Sequence, residues 1–254
     1  MLEIGKKHSL FKTLFLTILE LIYPEEDICF ICDTYDDSIN EEHICLKCKE
    51  NLRFIGDNKC SICGKPLQAD AVIKKCYNCR RHPYYFSKAV AALEYEGTIK
   101  EVIYKYKYGN KPYIYKALGA LLVQAIRESD INTNDIDIIV PVPLHRFKII
   151  KRGFNQSELL ANYISHAFNI PVSVKNLVRN KMTVRQNNLD RLNRRSNIKG
   201  AFKIKKKDDF VGKNIILVDD IFTTGITADE CSKELVQAGA CDITVVTLAT
   251  GKSN

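Results

Sequence analysis

Eight cysteines constrain this chain more than any other feature, because they form four C-x-x-C pairs in a regular repeat. Twelve residues separate the two pairs of each half, and the second half repeats the first at a displacement of 31 residues. A C-x-x-C turn presents two thiolates, and two such turns complete a tetrahedral set of four sulfur ligands for zinc. We therefore predict a double zinc ribbon that binds two Zn²⁺ ions. Its ligands are Cys29, Cys32, Cys45, Cys48, Cys60, Cys63, Cys76 and Cys79.

The two zinc ions are expected to be structural, since four thiolates leave no open coordination position for a catalytic water. The spacing leaves open whether the ligand pairs are consecutive or interleaved. The alternative is a disulfide framework, which requires an oxidising compartment, and the chain has no convincing secretion signal. A redox role would explain one C-x-x-C pair but not four in register. Cys231 and Cys241 belong to no motif and are interpreted as small buried residues.

The first 25 residues contain an apolar segment over 9–23 that Lys12 and Glu20 interrupt. No small-residue cleavage site follows it, so a signal peptide is a poor interpretation. We predict an amphipathic helix that begins at Ser9 and packs on the body of the protein, with shallow membrane contact as the alternative. No stretch is apolar over the length that a transmembrane span needs. The expected location is the cytoplasm, with association at the inner face of the membrane as the alternative.

Strand and helix patterns alternate after the cysteines, which predicts a parallel sheet with helices on both faces. A chain of 254 residues can hold one α/β domain of about 150–170 residues and a small appendage. We expect an N-terminal helix over 1–25, the double zinc ribbon over 26–85 and the α/β domain over 86–254. The predicted strands cover 89–95, 136–142, 215–218 and 243–248, with short β segments near 172–174 and 201–204. The predicted helices cover 98–107, 114–127, 156–168 and 228–238.

The stretch over 215–227 predicts a ligand site, because two acids and a small-residue loop follow a buried strand. In an open parallel sheet, ligands bind at the carboxyl ends of the strands. Hydroxyl groups and the close backbone approach that glycine allows make a phosphate cradle at the start of the next helix. Asp219 and Asp220 would repel phosphate, so we expect them to accept hydrogen bonds from vicinal hydroxyls or to hold Mg²⁺ water. The predicted phosphate cradle consists of Thr223, Thr224, Gly225, Ile226 and Thr227.

These thirteen residues resemble the PRPP-binding motif of the type I phosphoribosyltransferases. The resemblance implies a type I phosphoribosyltransferase fold, in which the acid pair contacts the ribose hydroxyls and the threonine loop holds the 5-phosphate of PRPP, with Mg²⁺. It also implies that the loop after an upstream strand holds pyrophosphate and that a mobile basic loop takes part in catalysis. The candidates for the pyrophosphate loop are Leu144, His145 and Arg146, and those for the basic catalytic loop are Arg185 and Arg191.

Further motifs resemble the competence protein F (ComF) family and its relative GntX. They are K-Y-G at 107–109, V-P-V-P-L at 140–144 and R-G-F-N-Q at 152–156, which join the cysteine ribbon and the PRPP motif. Together the motifs extend over nearly the full chain, although the doubled ribbon departs from family members with a single four-cysteine site. The resemblance implies a phosphoribosyltransferase acting on an unidentified acceptor and a role in DNA uptake during natural transformation.

Basic residues are concentrated in one segment of the chain, and a polyanion is therefore the expected partner. The net charge is +8, and the segment over 175–207 holds twelve Lys or Arg against one acid. Tyrosines and lysines alternate over 104–116, which offers stacking faces beside cations for single-stranded DNA. The alternative is a solvated charged loop and tyrosines that pack in the core. The candidate nucleic-acid contacts are Lys105, Lys107, Tyr108, Lys111, Arg152, Arg194 and Arg195.

Two functions of different classes follow from these patterns. The first is a Mg²⁺-dependent protein that binds PRPP or ribose 5-phosphate and transfers the phosphoribosyl group. The second is a non-catalytic protein that binds single-stranded DNA and retains the phosphate site for ligand sensing. The family resemblance also implies a helicase or a membrane channel of DNA uptake as a partner.

Overall fold

The computed structural model describes residues 27–37, 39, 42–69, 71–181 and 196–252. The predicted N-terminal helix over 9–23 lies outside the described residues. So do four of the predicted functional arginines, Arg185, Arg191, Arg194 and Arg195. Within the described part of the chain, no helix has both the length and the apolar character needed to cross a membrane.

A four-stranded parallel sheet forms the centre of the protein. The strands of the described residues are β1 (Lys88–Glu94), β2 (Ile138–Pro141), β3 (Leu177–Arg179), β4 (Phe202–Ile204), β5 (Asn214–Phe222) and β6 (Asp242–Thr250). The strand order in the central sheet is β1-β6-β5-β2. An antiparallel pair, β3 and β4, lies apart from it. In the two middle strands, residues 215–218 of β5 and 243–250 of β6 are all buried, as expected of parallel strands that are covered on both faces.

Seven α-helices lie within the described residues. Two short helices belong to the cysteine-rich region, and five longer segments accompany the sheet. They are α1 (Leu46–Glu50), α2 (Tyr77–Arg81), α3 (Thr98–Tyr108), α4 (Tyr115–Arg127), α5 (Arg146–Arg152), α6 (Gln156–Phe168) and α7 (Ile226–Gln237).

The two faces of the sheet belong to different hydrophobic cores. Alternate residues of β5 divide between them, since Ile216 belongs to the first core and Leu217 to the second. Helices α3, α4 and α6 cover the first face, and α7 with the β3–β4 pair covers the second. The first cysteine set packs into the first core and the second set into the second core, so the two ribbons attach to opposite faces.

The predicted fold class is confirmed, since helices flank a parallel sheet and a cysteine-rich ribbon precedes it. Strand β5 continues four residues beyond the predicted end at 218, which places Asp219 and Asp220 within the strand. The predicted β segment near 172–174 is wrong as a strand, because Val172 makes only an isolated bridge with Ile139. The interpretation of Cys241 as buried is also wrong, because it lies exposed in the turn between α7 and β6, whereas Cys231 is buried.

In the α/β domain, the sequence analysis missed the helix α5 and the strand β3, and it did not predict the two short helices α1 and α2 of the ribbon. Helix α5 has seven residues, which is too short to show a helical period, and it begins where the Nδ1 atom of His145 accepts a hydrogen bond from the N–H of Phe147 (3.4 Å). Strand β3 has three residues and pairs with β4, which begins more than twenty residues further along the chain. A pairing of that kind leaves no local pattern in the sequence.

Candidate functional site

Two sets of four cysteines form compact clusters, and the pairing is consecutive rather than interleaved. In each set, every sulfur lies within 4.8 Å of the other three. Cys32 Sγ lies 3.9 Å from Cys45 Sγ, and Cys63 Sγ lies 3.6 Å from Cys76 Sγ. A tetrahedral Zn²⁺ with bonds of about 2.3 Å separates its sulfur ligands by about 3.8 Å, so both sets have the dimensions of a structural zinc site.

The internal repeat is visible in the hydrogen bonds of the two clusters. The N–H of Cys45 donates to Cys29 Sγ at 3.4 Å, and the N–H of Cys76 donates to Cys60 Sγ at 3.3 Å. Both bonds join residues sixteen positions apart at equivalent places in the repeat. Backbone donors that point at sulfur stabilise thiolate ligands, so the local geometry also favours metal binding.

Each cluster is attached to the α/β part of the protein by polar contacts. In the first ribbon, Asp33 accepts hydrogen bonds from Lys111 Nζ (2.6 Å) and from the Tyr113 hydroxyl (2.9 Å). The pKa of Asp33 is lowered by these two donors in spite of partial burial. Just after the second ribbon, the Tyr84 hydroxyl donates to the carbonyl of Thr224 (3.1 Å). The segment that directly follows the second ribbon is therefore hydrogen-bonded to the predicted phosphate loop.

The two acids at the end of β5 have different surroundings. Asp219 Oδ1 accepts hydrogen bonds from the N–H of Asp220 (2.9 Å) and from the Ser157 hydroxyl (3.3 Å). Burial raises the pKa of Asp219 to about 7, and the neighbouring charge of Asp220 adds to the rise. Asp220 Oδ2 forms an ion pair with Lys107 Nζ at 2.7 Å. The pair therefore carries one shielded carboxylate with its own counter-ion and one carboxyl that titrates near neutral pH.

The predicted phosphate loop is held in shape by aromatic rings. Gly225 precedes α7 with φ +76°, in the left-handed region that favours glycine. A Cβ atom there would lie 2.5 Å from the Phe222 ring and 3.1 Å from the Tyr84 ring. The rings of Tyr84, Phe86 and Phe222 pack on one another. The loop therefore needs glycine at this position both for its backbone conformation and for its packing.

One cavity of about 330 Å³ brings the acid pair and the loop together. It lies at the carboxyl ends of β2 and β5, between α3, α5 and α6. Four basic side chains line it against the two acids, so the site is suited to an anionic ligand. The lining from these elements includes Lys107, Tyr108, Leu144, Lys148, Arg152, Gln156, Ser157, Arg179, Asp219, Asp220, the five residues of the predicted loop, and Thr247.

Two buried polar atoms in the lining have no hydrogen-bond partner within the described part of the chain. They are Nε2 of Gln156 and Oγ1 of Thr247, and both residues are only 1% exposed. Gln156 is otherwise well anchored, because its Oε1 accepts a hydrogen bond from Arg152 (2.5 Å). An unsatisfied buried donor costs about 1–3 kcal/mol, so these atoms favour a ligand with oxygen acceptors in the cavity.

A second cavity of about 380 Å³ adjoins the first and shares four of its residues. Its lining is mostly basic, and the guanidinium of Arg152 lies 5.0 Å from the centre of the Tyr108 ring. Tyr108 is half exposed and packs against Tyr104, which is also exposed. The second cavity is lined by Lys107, Tyr108, Asn110, Lys148, Lys151 and Arg152.

The predicted pyrophosphate loop is only partly at the cavity. Leu144 lines the cavity, whereas His145 is buried and caps α5, and Arg146 lies exposed at the start of α5, outside the lining. The basic groups that reach the cavity from this region are Lys148 and Arg152, one face of α5. Spacing of four along a helix would have indicated that they share a face, but the sequence analysis missed the helix.

The predicted nucleic-acid contacts separate into different environments. Lys107, Tyr108 and Arg152 lie together at the two cavities. Lys105 is partly buried outside both linings, and Lys111 is bound to Asp33 of the first ribbon. The sequence analysis did not assign roles to three further cavity residues, Ser157, Arg179 and Thr247. Ser157 directly follows the R-G-F-N-Q motif, which could have suggested it, whereas no motif marks Arg179 at the end of β3 or Thr247 within β6.

This chain is similar in sequence to a domain family and to several known proteins. Residues 18–80 match the family described as "Double zinc ribbon domain". The chain is 32% identical over 221 residues to "Competence protein F" of Haemophilus influenzae, covering 81% of this chain and 96% of that protein. It is 25% identical to "Competence protein ComFC" of Bacillus subtilis, covering 84% and 90%, and 27% identical to "DNA utilization protein YhgH" of Salmonella typhimurium, covering 86% and 94%.

Solved structures that resemble part of this chain include two further proteins. One is the purine phosphoribosyltransferase of Pyrococcus horikoshii, with 19% identity, a TM-score of 0.34 and coverage of 54% of this chain and 74% of that chain. The other is the glutamine PRPP amidotransferase of B. subtilis, with 21% identity, a TM-score of 0.35 and coverage of 51% and 25%.

Proposed function

Because this chain belongs to the competence protein F family, we propose that it binds the ribose 5-phosphate part of PRPP together with Mg²⁺ and acts in DNA uptake during natural transformation. One observation carries the proposal. The cavity at the carboxyl ends of β2 and β5 combines an acid pair, a threonine-rich loop at a helix start and an excess of basic side chains. Its volume of about 330 Å³ lies within the range of small-molecule sites.

The 5-phosphate is assigned to the loop from Thr223 to Thr227. Helix α7 has twelve residues and begins directly after Gly225, so its positive N-terminal end faces the loop. Hydroxyl groups on both sides of Gly225 supply further donors. The acid pair is too negative to share this phosphate, which supports placing the ribose hydroxyls rather than the phosphate beside it.

The ribose hydroxyls and Mg²⁺ are assigned to Asp219 and Asp220. Carboxylate oxygens are the ligands that Mg²⁺ prefers, and Mg²⁺ when bound would neutralise part of the charge of a departing pyrophosphate. Ser157 and the N–H of Asp220 hold Asp219 Oδ1 in place, so Asp219 is oriented before a ligand arrives. These contacts support a preorganised acid pair.

The pyrophosphate is assigned to Lys148, Arg152 and the free Nε2 of Gln156. In phosphoribosyl transfer, positive charge develops at C1 of the ribose as the bond to pyrophosphate breaks, so the protein must stabilise the leaving group and exclude water. Two cations and a buried amide donor on the β2 side of the cavity are suited to that leaving group.

Calorimetry of the zinc-loaded protein tests the proposal. Wild-type protein is titrated with PRPP and Mg²⁺, and the titration is repeated with the double variant Asp219→Ala/Asp220→Ala. We expect binding in wild type and its loss in the double variant. Asp208→Ala, an exposed acid on the surface, is the matched control and should bind as wild type does. Equal binding by the double variant would exclude the acid pair as the ribose site.

A second function, binding of single-stranded DNA, is favoured by the second cavity. Its four basic residues lie beside the exposed ring of Tyr108, which combines phosphate neutralisation with a stacking face. Each phosphate contact contributes a slope of about −0.7 to the dependence of log K on log salt for single strands. Lys148→Ala/Lys151→Ala should therefore flatten the slope for an oligonucleotide by about 1.4, as measured by fluorescence anisotropy. An unchanged slope would place DNA binding elsewhere.

A further inference from the structure

Lys107 occupies a position that is unusual for a surface lysine. It lies in the last turn of α3, and its Nζ atom forms the 2.7 Å ion pair with Asp220 at the end of β5. The two side chains are only 18% and 17% exposed. Because solvent screens this pair less than an exposed one, the interaction is stronger than that of an ordinary surface ion pair. In the ligand-free protein, the carboxylate of Asp220 therefore already has a cation.

The same carboxylate is the one that the proposed function assigns to Mg²⁺. A lysine ammonium and a divalent ion beside one carboxylate repel each other, and the repulsion is twice that between two unit charges at the same distance. The buried Nε2 of Gln156 and Oγ1 of Thr247, which lack partners in the described part of the chain, indicate independently that this cavity receives a ligand. Mg²⁺ can replace the ammonium at Asp220 Oδ2 only if Lys107 moves away.

The surroundings of Lys107 determine where the ammonium can go. Lys107 lines both cavities, so a change of rotamer turns it from Asp220 towards the second cavity. The charged groups that face it there are Lys148, Lys151 and Arg152, and all of them repel an ammonium. Asp219, the other acid nearby, already accepts two hydrogen bonds. The move is therefore favourable only when an anion has entered between the basic groups.

We propose that Lys107 is an exchangeable internal cation that couples the binding of Mg²⁺ at the acid pair to the binding of a polyphosphate anion beside α5. The coupling rests on the proposed function for the identity of the metal site. Mg²⁺ alone binds weakly, because it must displace Lys107 into a basic cavity. A ligand that carries pyrophosphate gives the displaced ammonium a new partner, so metal and anion bind together. Lys107 is thus a positioning residue that prevents the acid pair from holding a metal ion without substrate.

The test is a titration of the zinc-loaded protein with Mn²⁺ alone, followed by electron paramagnetic resonance of the free ion. Mn²⁺ stands in for Mg²⁺ because it takes the same oxygen ligands. We expect Lys107→Gln to bind Mn²⁺ at least tenfold more tightly than wild type, since glutamine carries no charge and leaves Asp220 without its counter-ion. Lys107→Arg keeps the charge and should bind as wild type does. Lys100→Gln, an exposed lysine on the same helix, is the matched control and should leave the affinity unchanged.

A second titration in the presence of inorganic pyrophosphate measures the coupling itself. Once the Mn²⁺–pyrophosphate complex measured without protein is subtracted, pyrophosphate should tighten Mn²⁺ binding by wild type at least tenfold, and by Lys107→Gln at most threefold. Lys107→Met serves as a second neutral variant if thermal melting shows that the glutamine variant is unfolded. Equal Mn²⁺ affinity of wild type and the neutral variants, including no binding by any of them, overturns the proposal. Failure of the proposed function gives a different result, because PRPP then fails to bind in calorimetry whatever the Mn²⁺ titrations show.

Discussion

Replacing Gly225 by alanine tests how tightly the structure holds the phosphate loop. The left-handed backbone at φ +76° costs an L-residue about 1–2 kcal/mol. The added Cβ would also lie 2.5 Å from the Phe222 ring, which packs edge-on against Tyr84 and Phe86 and cannot move freely. Overpacking of a buried contact costs about 1–3 kcal/mol more. We therefore expect Gly225→Ala to lower the free energy of unfolding by about 2–5 kcal/mol in total.

Gly212→Ala separates the two contributions. Gly212 has a similar φ of +68°, but a Cβ there would meet nothing within 4 Å, so only the backbone cost of about 1–2 kcal/mol applies. Urea unfolding of the zinc-loaded proteins measures both free energies, and calorimetry measures PRPP affinity. Gly225→Ala should be the less stable variant and should bind PRPP at least tenfold more weakly, whereas Gly212→Ala should bind normally. Equal stability of the two variants, with PRPP binding unaffected in both, would refute the argument from ring packing.

Three further predictions concern the acid pair and the two ribbons. Because the pKa of Asp219 is raised to about 7, its carboxylate form is lost as the pH falls below 7, and Mn²⁺ affinity should drop about tenfold per pH unit between pH 6.5 and 5.5. An affinity that does not change with pH would contradict the assignment of Asp219 as a metal ligand. Tyr84→Phe removes the hydrogen bond to Thr224 and should weaken PRPP binding severalfold, while the zinc content measured by a chelator assay stays at two ions. An unchanged PRPP affinity would show that the Tyr84 hydroxyl does not position the phosphate loop. Lys111→Met breaks the partly exposed ion pair with Asp33 and should cost at most about 1 kcal/mol of stability in thermal melting, with the DNA affinity unchanged. A large loss of DNA affinity would show that Lys111 does contact nucleic acid.

The double ribbon has a role in the architecture beyond folding itself. Its first half packs into the core beneath α3 and α4, and its second half packs into the core beneath α7. The second half also leads into Tyr84 and Tyr85, whose contacts reach Thr224 and Asp229. Zinc binding by the second ribbon is therefore expected to stabilise the start of α7, where the phosphate loop lies.

Local patterns in the sequence were sufficient to predict the parts of the protein that depend on neighbouring residues. The regular spacing of the cysteines predicts two sets of four thiolates, because a C-x-x-C turn places two sulfurs together without help from the rest of the chain. An apolar run followed by two acids and a threonine-glycine loop predicts a buried strand, the acids at its carboxyl end and a helix after it. The resemblance of these residues to a known motif then indicated the ligand class.

The tertiary structure decided which residues meet across long separations. The sequence left the cysteine pairing open, and the packing of each ribbon on its own face of the sheet makes the pairing consecutive. Lys107 looked like one basic residue in a tyrosine-lysine stretch, but the packing of α3 against the sheet carries it to Asp220, 113 positions away. Tyr106, from the same stretch, turns into the core instead. No local pattern contains this difference, because the face of α3 that is buried depends on how the helix packs against its neighbours, and that packing is set by side chains distant in sequence.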